Sequence, residues 1–438
     1  MGYHYAREAS YRVEPLTVRC GREEHVRILP LGRQAAFDDA REYRVTVIPM
    51  ELQTPELYAW PVPYRQFTLR PENGILTVAC TFPEEQEWTL LVVPADNPAQ
   101  GALRFRIYSL EPDLYGLHPF RGDLHSHSSR SDGRDDPAVV AANYRANGFD
   151  FLALTDHHLW EPSGEAMEAY EGVPLDLKLF HGEEVHLRED YIIHIVNFGG
   201  EESVNAMYRA DPEQAETEIA RIAAEAALPY GVNPAEYARR VWITRRIRSV
   251  GGLAILAHPF WIVADRYNLN FRMLDYCMRS GIYDAMEIMT GQTVHENNLQ
   301  LSFYMEERAK GVELPFVGSS DSHGTDPAYY FGMVKTVVLA ESTEKQAIFD
   351  AIRNRRCAAV EQNPKEEYRV WGDFRMVKYI RFLLRCYFPL HDALCVEEGQ
   401  LMKAFLLGEA GAADRLRACH GRGEALADRF LGSRAENP

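Results

Sequence analysis

The stretch "FDFLALTDHH", residues 149–158, is apolar and strand-like up to Thr155 and then delivers Asp156, His157 and His158 in succession. Short apolar runs bounded by turn signals read as buried strands, and this one ends in groups that a core would reject. The same grammar recurs along the chain. "LKLFHGEEVH" ends in Glu183, Glu184 and His186, "YIIHIVNFGG" carries His194, "GGLAILAHPF" ends in His258, and "LPFVGSSDSHG" ends in Asp321 and His323. Helical patterns lie between the runs, so residues 119–340 read as an alternating α/β unit built on a parallel sheet or barrel. In such folds the carboxyl ends of the strands face one side, and sites are built there. Five or six runs that each deliver imidazole or carboxylate are therefore expected to converge on one pocket.

"RGDLHSHSSRSDG", residues 121–133, adds the densest set of polar ligand types. Side chains at i and i+2 of a strand share a face, so His125 and His127 can grip one metal, and Asp321 and His323 repeat the spacing. Imidazole and carboxylate suit zinc, manganese or iron, and no soft thiolate stands nearby. Eleven of the fifteen histidines fall between residues 118 and 323, too many for scatter.

Outside this unit, residues 1–118 read as a small β-rich, sandwich-like domain, with runs such as "YRVTVIPM" and "LRFRIYSL" between Pro, Gly and Asn turns. Residues 341–438 read as a mostly helical C-terminal segment. A helical insert at about 201–248 reads as a lid or, more conservatively, as amphipathic barrel helices, and the arginine pairs 239–240 and 245–246 as a solvated face. A net charge of −17 argues against a nucleic-acid polymer as partner. The seven cysteines are scattered and lack a C-x-x-C pair, which fits free thiols in a reducing compartment. There is no signal-peptide core and no membrane-length apolar run. The expectation is a cytoplasmic protein without membrane partners; oligomeric state is not legible.

The set "DLHSHSSRSDG", "FLALTDHH", "GEEVH", "HIVNFG", "LAHP" and "GSSDSH", in this order, resembles the PHP (polymerase and histidinol phosphatase) superfamily, and within it the CehA/McbA-type metallohydrolases, which carry a β-rich domain ahead of the PHP domain. The resemblance covers residues 119–340. It implies a distorted (βα)7 barrel with two or three divalent ions, Zn, Mn or Fe. The first ion would sit on His125, His127, Glu184 and Asp321. The second would share Glu184 and add His194 and His258, and the third would use Asp132, His157 and His323. The family pattern of Gly, any residue, Glu selects Glu184 over Glu183 as the bridge. Asp132 stands where other branches use histidine, which implies a weaker third site or one for a harder metal.

Three divalent ions against three carboxylates leave a formal charge of about +3, which would attract a small anionic, phosphorylated substrate. The implied activity is a phosphoesterase acting on a small monoester or diester, with a metal-bridging hydroxide as nucleophile. No G-x-S-x-G or P-loop supplies a protein nucleophile. Two other readings stay open: carbamate or carboxyl-ester hydrolysis at the same centre, and a metal-containing binding protein. Arg130 could fork onto a phosphate, and His186 shares the face of Glu184 and could touch substrate. Asp156 and His158 read as supports of their neighbours. His118, His181 and His295 read as ordinary capping or hydrogen-bonding histidines.

Overall fold

The computed structural model describes residues 8–32, 35–51, 64–98, 101–187, 193–326, 330–363 and 366–432. They fall into two units: Met1–His118 with Lys378–His391 and Gly421–Pro438, and Pro119–Val377 with Asp392–His420.

Period-two burial builds the first unit. Its strands are β1 (Tyr11–Glu14), β2 (Thr17–Arg19), β3 (Glu23–Pro30), β4 (Tyr43–Pro49), β5 (Arg65–Leu69), β6 (Leu76–Thr81), β7 (Glu87–Pro94) and β8 (Leu103–Leu110). They form a three-stranded sheet, β1-β3-β6, and a five-stranded sheet, β2-β8-β7-β4-β5. Along β6, Leu76, Val78 and Cys80 are buried while Leu76's neighbours Thr77, Ala79 and Thr81 are not, which is the alternation of a strand with one face on a core. The inner faces meet through Tyr11 and Phe105, whose ring centroids are 5.5 Å apart. Late parts of the chain complete this unit. Tyr379 packs on Tyr108 with 5.0 Å between centroids, and Leu16 N–H donates to Phe430 O at 2.7 Å.

The second unit holds β9 (His118–Asp123) from Pro119 onward, β10 (Phe151–Ala153), β11 (Lys178–Phe180), β12 (Gly182–Val185), β13 (Ile195–Phe198), β14 (Leu253–Leu256), the hairpin β15 (Ile262–Val263) and β16 (Arg266–Tyr267), β17 (Ala285–Met289), β18 (Phe316–Gly318), β19 (Val334–Ala340), β20 (Cys357–Glu361) and β21 (Arg369–Gly372). The main sheets run β11-β10-β9-β19-β20-β21 and β12-β13-β14-β17-β18. The result is a mixed α/β fold whose second sheet is a half-barrel. β9, β10 and β11 pair in parallel, as do β14, β17 and β18. The uniformly parallel order expected from the alternation gives way at β12–β13–β14 and β19–β20–β21, which pair antiparallel. The link from Val185 to Ile195 is too short for a crossover helix, so β13 must turn back.

The segment expected as an insert forms the helices Val204–Ala210, Pro212–Glu225 and Pro234–Ser249. The last of these packs Ala238, Val241, Ile243 and Ile247 into the main core. Here the reading of a solvated arginine face fails for one pair. Arg239 and Arg240 are buried, at 6% and 1% exposure. Arg239 Nη2 donates to Glu216 at 2.8 Å, and Arg240 donates to Glu236 at 2.9 Å and to the Tyr283 hydroxyl at 3.2 Å. Arginine is tolerated at such depth because acceptors meet its guanidinium. No helix among the described residues is long and apolar enough to cross a membrane.

Candidate metal centre

Backbone bridges beyond the ends of the regular strands draw the ligand-bearing segments together. Ser126 and Ser322 form a parallel bridge, as do His157 and Glu184. His127 N–H donates to Ser322 O at 2.9 Å, and Asp321 N–H donates to His125 O at 2.9 Å. His194 arrives differently. It precedes the amino end of β13, and because β13 runs antiparallel to β12 and β14, with Ile195 opposite both Val185 and Leu256, that end lies beside the carboxyl ends of its neighbours.

All nine sequence-selected ligands meet around two carboxylates. Glu184 Oε2 lies 2.7 Å from His157 Nδ1, 3.3 Å from His186 Nε2 and 3.5 Å from His125 Nε2. Its Oε1 lies 2.7 Å from His194 Nδ1 and 3.3 Å from His258 Nε2. Asp321 Oδ1 is 3.0 Å from His127 Nε2 and 3.3 Å from His125 Nε2. Asp132 sits between His157 Nε2 and His323 Nε2, 3.4 Å from each. The cluster has a floor and a mouth: the side chains of His125 and Glu184 are 0% exposed, those of His157, His323 and Asp132 are 24%, 30% and 56% exposed.

Donor atoms group in overlapping sets. His127, Asp132, His157 and His323 form one; His125, His127 and Glu184 another; His125, His258 and Asp321 a third; His157, Glu184 and His186 a fourth. His186, read from spacing as a substrate contact, thus stands among the donors. The chemistry of the site fits divalent ions. His125 Nε2, His127 Nδ1 and His258 Nδ1 are buried without a hydrogen-bond partner. Each such atom costs roughly 1–3 kcal/mol, and imidazole nitrogen with carboxylate oxygen is the donor set of Zn, Mn or Fe.

The charges are tightly coupled. Burial alone would raise the Glu184 carboxyl, but His194, His125 and His157 hold it well below the ordinary range. Burial also opposes charge on His157, yet Glu184 and Asp132 push its pKa up to about 10. For His194 burial wins over Glu184 and the pKa falls to about 3. His127 is likewise held down at about 4 by burial, with His157 and His323 adding to the effect.

The adjacent Glu183 faces away from the cluster, as strand alternation requires. It accepts from Asn197 Nδ2 at 3.1 Å, Ser203 Oγ at 2.7 Å and Asn205 Nδ2 at 2.9 Å, which fixes β12 and with it Glu184. Asp156 accepts from Ser128 N–H and Oγ, both at 2.9 Å, and from Ser131 Oγ at 2.6 Å, so it shapes the loop that carries Asp132. Gly133 closes that loop: a Cβ there would sit 2.7 Å from the carbonyl oxygens of His127 and Ser128. His158 is in the left-handed region at φ 62° and its ring lies 4.8 Å from that of His186. Asp321 shares that backbone region at φ 51°, a conformation that non-glycine residues hold only where the surroundings impose it. Arg130 stands apart, with Nε donating to Glu165 at 2.7 Å and Nη2 to Asp136 at 3.0 Å. His181 stacks on Trp160 and His118 pairs with Asp428.

Two functional neighbours escaped the sequence reading. Glu287, in the middle of β17, accepts from His125 Nδ1 at 2.9 Å and from His258 N–H at 3.0 Å. Its signal was a lone carboxylate inside the apolar run "AMEIM". Gln292 donates to Asp321 Oδ2 at 3.1 Å. An acceptor on the far nitrogen of a ligating histidine fixes its tautomer and raises its basicity. Glu287→Gln is therefore expected to weaken metal affinity by about 10–100-fold, measured by competition against a chromophoric chelator; unchanged affinity would show that His125 needs no such partner.

No family model matches the chain, and no curated protein matches it. Similar solved structures include a two-domain protein from Bacteroides vulgatus containing a predicted PHP-like metal-dependent phosphoesterase, 19% identical, covering 56% of this chain and 66% of that one, TM-score 0.40. A candidate metal-dependent phosphoesterase from Bifidobacterium adolescentis is 19% identical and covers 52% of this chain and 94% of that one, TM-score 0.35. An amidohydrolase from Chromobacterium violaceum with bound sulfate and no metal is 20% identical and covers 46% and 87%, TM-score 0.31. The match spans just under two thirds of the first of these proteins. At TM-scores this low the likenesses lend no weight to the site geometry.

Proposed function

We propose that the chain is a metal-dependent hydrolase of the PHP type, acting as a phosphoesterase on a small phosphate monoester or diester. The observation that carries this reading is the placement of Glu184, buried and surrounded by imidazoles from four separate segments, with Asp321 beside it. In this reading His125, His127, Glu184 and Asp321 hold one ion, Glu184, His194 and His258 a second, and Asp132, His157 and His323 a third at the mouth. When bound, divalent ions supply Lewis acidity, lowering the pKa of water and offsetting charge on the leaving oxygen. The chain's own residues position and tune. Glu287 orients His125, Asp156 holds the 128–131 loop, and the open mouth at Asp132 admits the ester.

Carbamate or carboxyl-ester hydrolysis is the second reading, and one observation favours it: Arg130, the cation offered for phosphate, is engaged by Glu165 and Asp136. The test is metal content of the purified chain together with hydrolysis of p-nitrophenyl phosphate and bis-p-nitrophenyl phosphate, with added Mn, Zn or Fe. Two or three ions per chain and turnover abolished by the double substitution His125→Ala and His127→Ala are expected. Bound metal without phosphoester turnover would move the assignment to carbamates and carboxyl esters. A chain that takes up no metal after reconstitution would sink it.

A further inference from the structure

A cavity of about 590 Å³ is lined by Ile193, by Asn233 and Glu236, and by the segment Arg266–Phe271. Two of its borders are tied to ligands. Ile193 directly precedes His194, and the β15–β16 hairpin hangs from the loop that follows His258. Trp261 N–H donates to His258 O at 3.0 Å, Asn268 N–H donates to Trp261 O at 2.7 Å, and Leu269 N–H donates to Pro259 O at 3.1 Å. The Trp261 ring centroid lies 5.5 Å from both His194 and His258. The backbone therefore ties two borders of this cavity to the segments that carry His194 and His258.

We infer that this cavity binds a polyhydroxylated ring, making the substrate of the proposed hydrolase a sugar-like or cyclic-polyol ester; the substrate assignment rests on that hydrolase reading, the binding site does not. The lining offers aromatic surface and polar groups of both kinds. Tyr267 and Phe271 remain 44% and 58% exposed although each is braced edge-on, Tyr267 by Phe260 at 5.4 Å and Phe271 by Phe303 at 5.8 Å. Arg266 brings guanidinium donors. Asn233 spends its side-chain oxygen on Ala235 N–H at 3.0 Å and Glu236 N–H at 3.2 Å, which leaves its NH2 as donor. Acceptors are present too: Asn268 Oδ1 is buried without a hydrogen-bond partner, and Glu236 gives Oε1 to Arg240, leaving Oε2. A hydroxyl both donates and accepts, whereas an anion only accepts. An anion would leave Asn268 Oδ1 and Glu236 Oε2 unmatched, at the usual cost of a desolvated acceptor. The volume lies within the range of small-molecule sites, about 300–1,000 Å³, and exceeds what a phosphate group alone needs.

The test is saturation-transfer NMR on the full chain, metal-free and metal-loaded, with glucose, ribose and myo-inositol and with their monophosphates. At least one unphosphorylated ring is expected to bind the metal-free chain. Arg266→Ala and Tyr267→Ala, both on an exposed hairpin and checked by thermal unfolding, are expected to weaken that binding at least about fivefold and to raise KM for the matching monophosphate by a similar factor. Binding limited to phosphate or carboxylates would overturn the inference, as would polyol binding that withstands both substitutions. Polyol binding that depends on these residues, in a chain that hydrolyses no phosphate ester, would support the cavity's role and count against the hydrolase reading instead.

Discussion

Glu184→Gln is expected to release at least one metal ion per chain and to lower phosphoester turnover on the order of 10³-fold. Six imidazoles lie within 3.7 Å of the two carboxylate oxygens. Gln keeps the shape but removes the charge and replaces one acceptor with a donor that would face histidine N–H groups or the cation itself. An unpaired donor at 0% exposure finds no water to relieve it. The control is the adjacent Glu183→Gln. Glu183 serves hydrogen bonds from Asn197, Ser203 and Asn205 and touches no ligand, so its amide should lower thermal stability by roughly 1.5–3 kcal/mol, the range for a hydrogen bond to a charged group, with metal content retained. Metal analysis by mass spectrometry, kcat and Tm on both variants separate the two roles. Full metal content with more than about a tenth of wild-type turnover in Glu184→Gln would show that this carboxylate is not shared between ions.

That contrast marks how far the sequence could be read. The convergence of His157, His258, Asp321 and His323 was legible because each follows an apolar run, and strand ends have a direction; His125 and His127 were legible from their i, i+2 spacing in a polar stretch. His194 was legible as a ligand type but not in its geometry. An apolar run carries no sign of which way its strand points, and only the pairing of β13 shows that its amino end faces the centre. Glu287 was hidden because a single acid within "AMEIM" looks like a misplaced surface residue until His125 and His258 are found beside it. Arg239 and Arg240 misled for the same reason: Glu216 and Tyr283, which make their burial tolerable, come from elements distant in sequence. Local pattern reports what a residue is, whereas burial of charge depends on partners that only the fold supplies. The cavity at Arg266–Phe271 belongs to the same class, since its walls come from two helix starts, a short hairpin and the turn between them, each of ordinary composition.

Lys335→Met is expected to stabilise the chain at neutral pH, and the gain should shrink as the pH rises. Lys335 lies on β19 and is only 4% exposed. Its Nζ sits 5.3 Å from the centroid of the Phe149 ring. Burial, aided by the nearby Arg121 cation, depresses its pKa from 10.5 to about 7, while Asp392 and Asp123 pull weakly the other way. The unfolded chain therefore binds this proton more tightly than the folded one between about pH 7 and 10.5, and over that window stability rises with pH. Below about pH 7 the full cost of burying the charge is present; above 10.5 it is gone. At ~1.4 kcal/mol per pH unit that cost is on the order of 5 kcal/mol. The cation–ring contact returns on the order of 2 kcal/mol, so the penalty wins. Met has a similar length, carries no charge and adapts to irregular space. The variant's Tm should exceed wild type by roughly 5 °C or more at pH 7, and by much less at pH 9.5, in scans at fixed metal content. An equal difference at both pH values would mean that packing, not the buried charge, sets the effect. A less stable variant at pH 7 would mean that the amine has a partner in solution strong enough to reverse the sign.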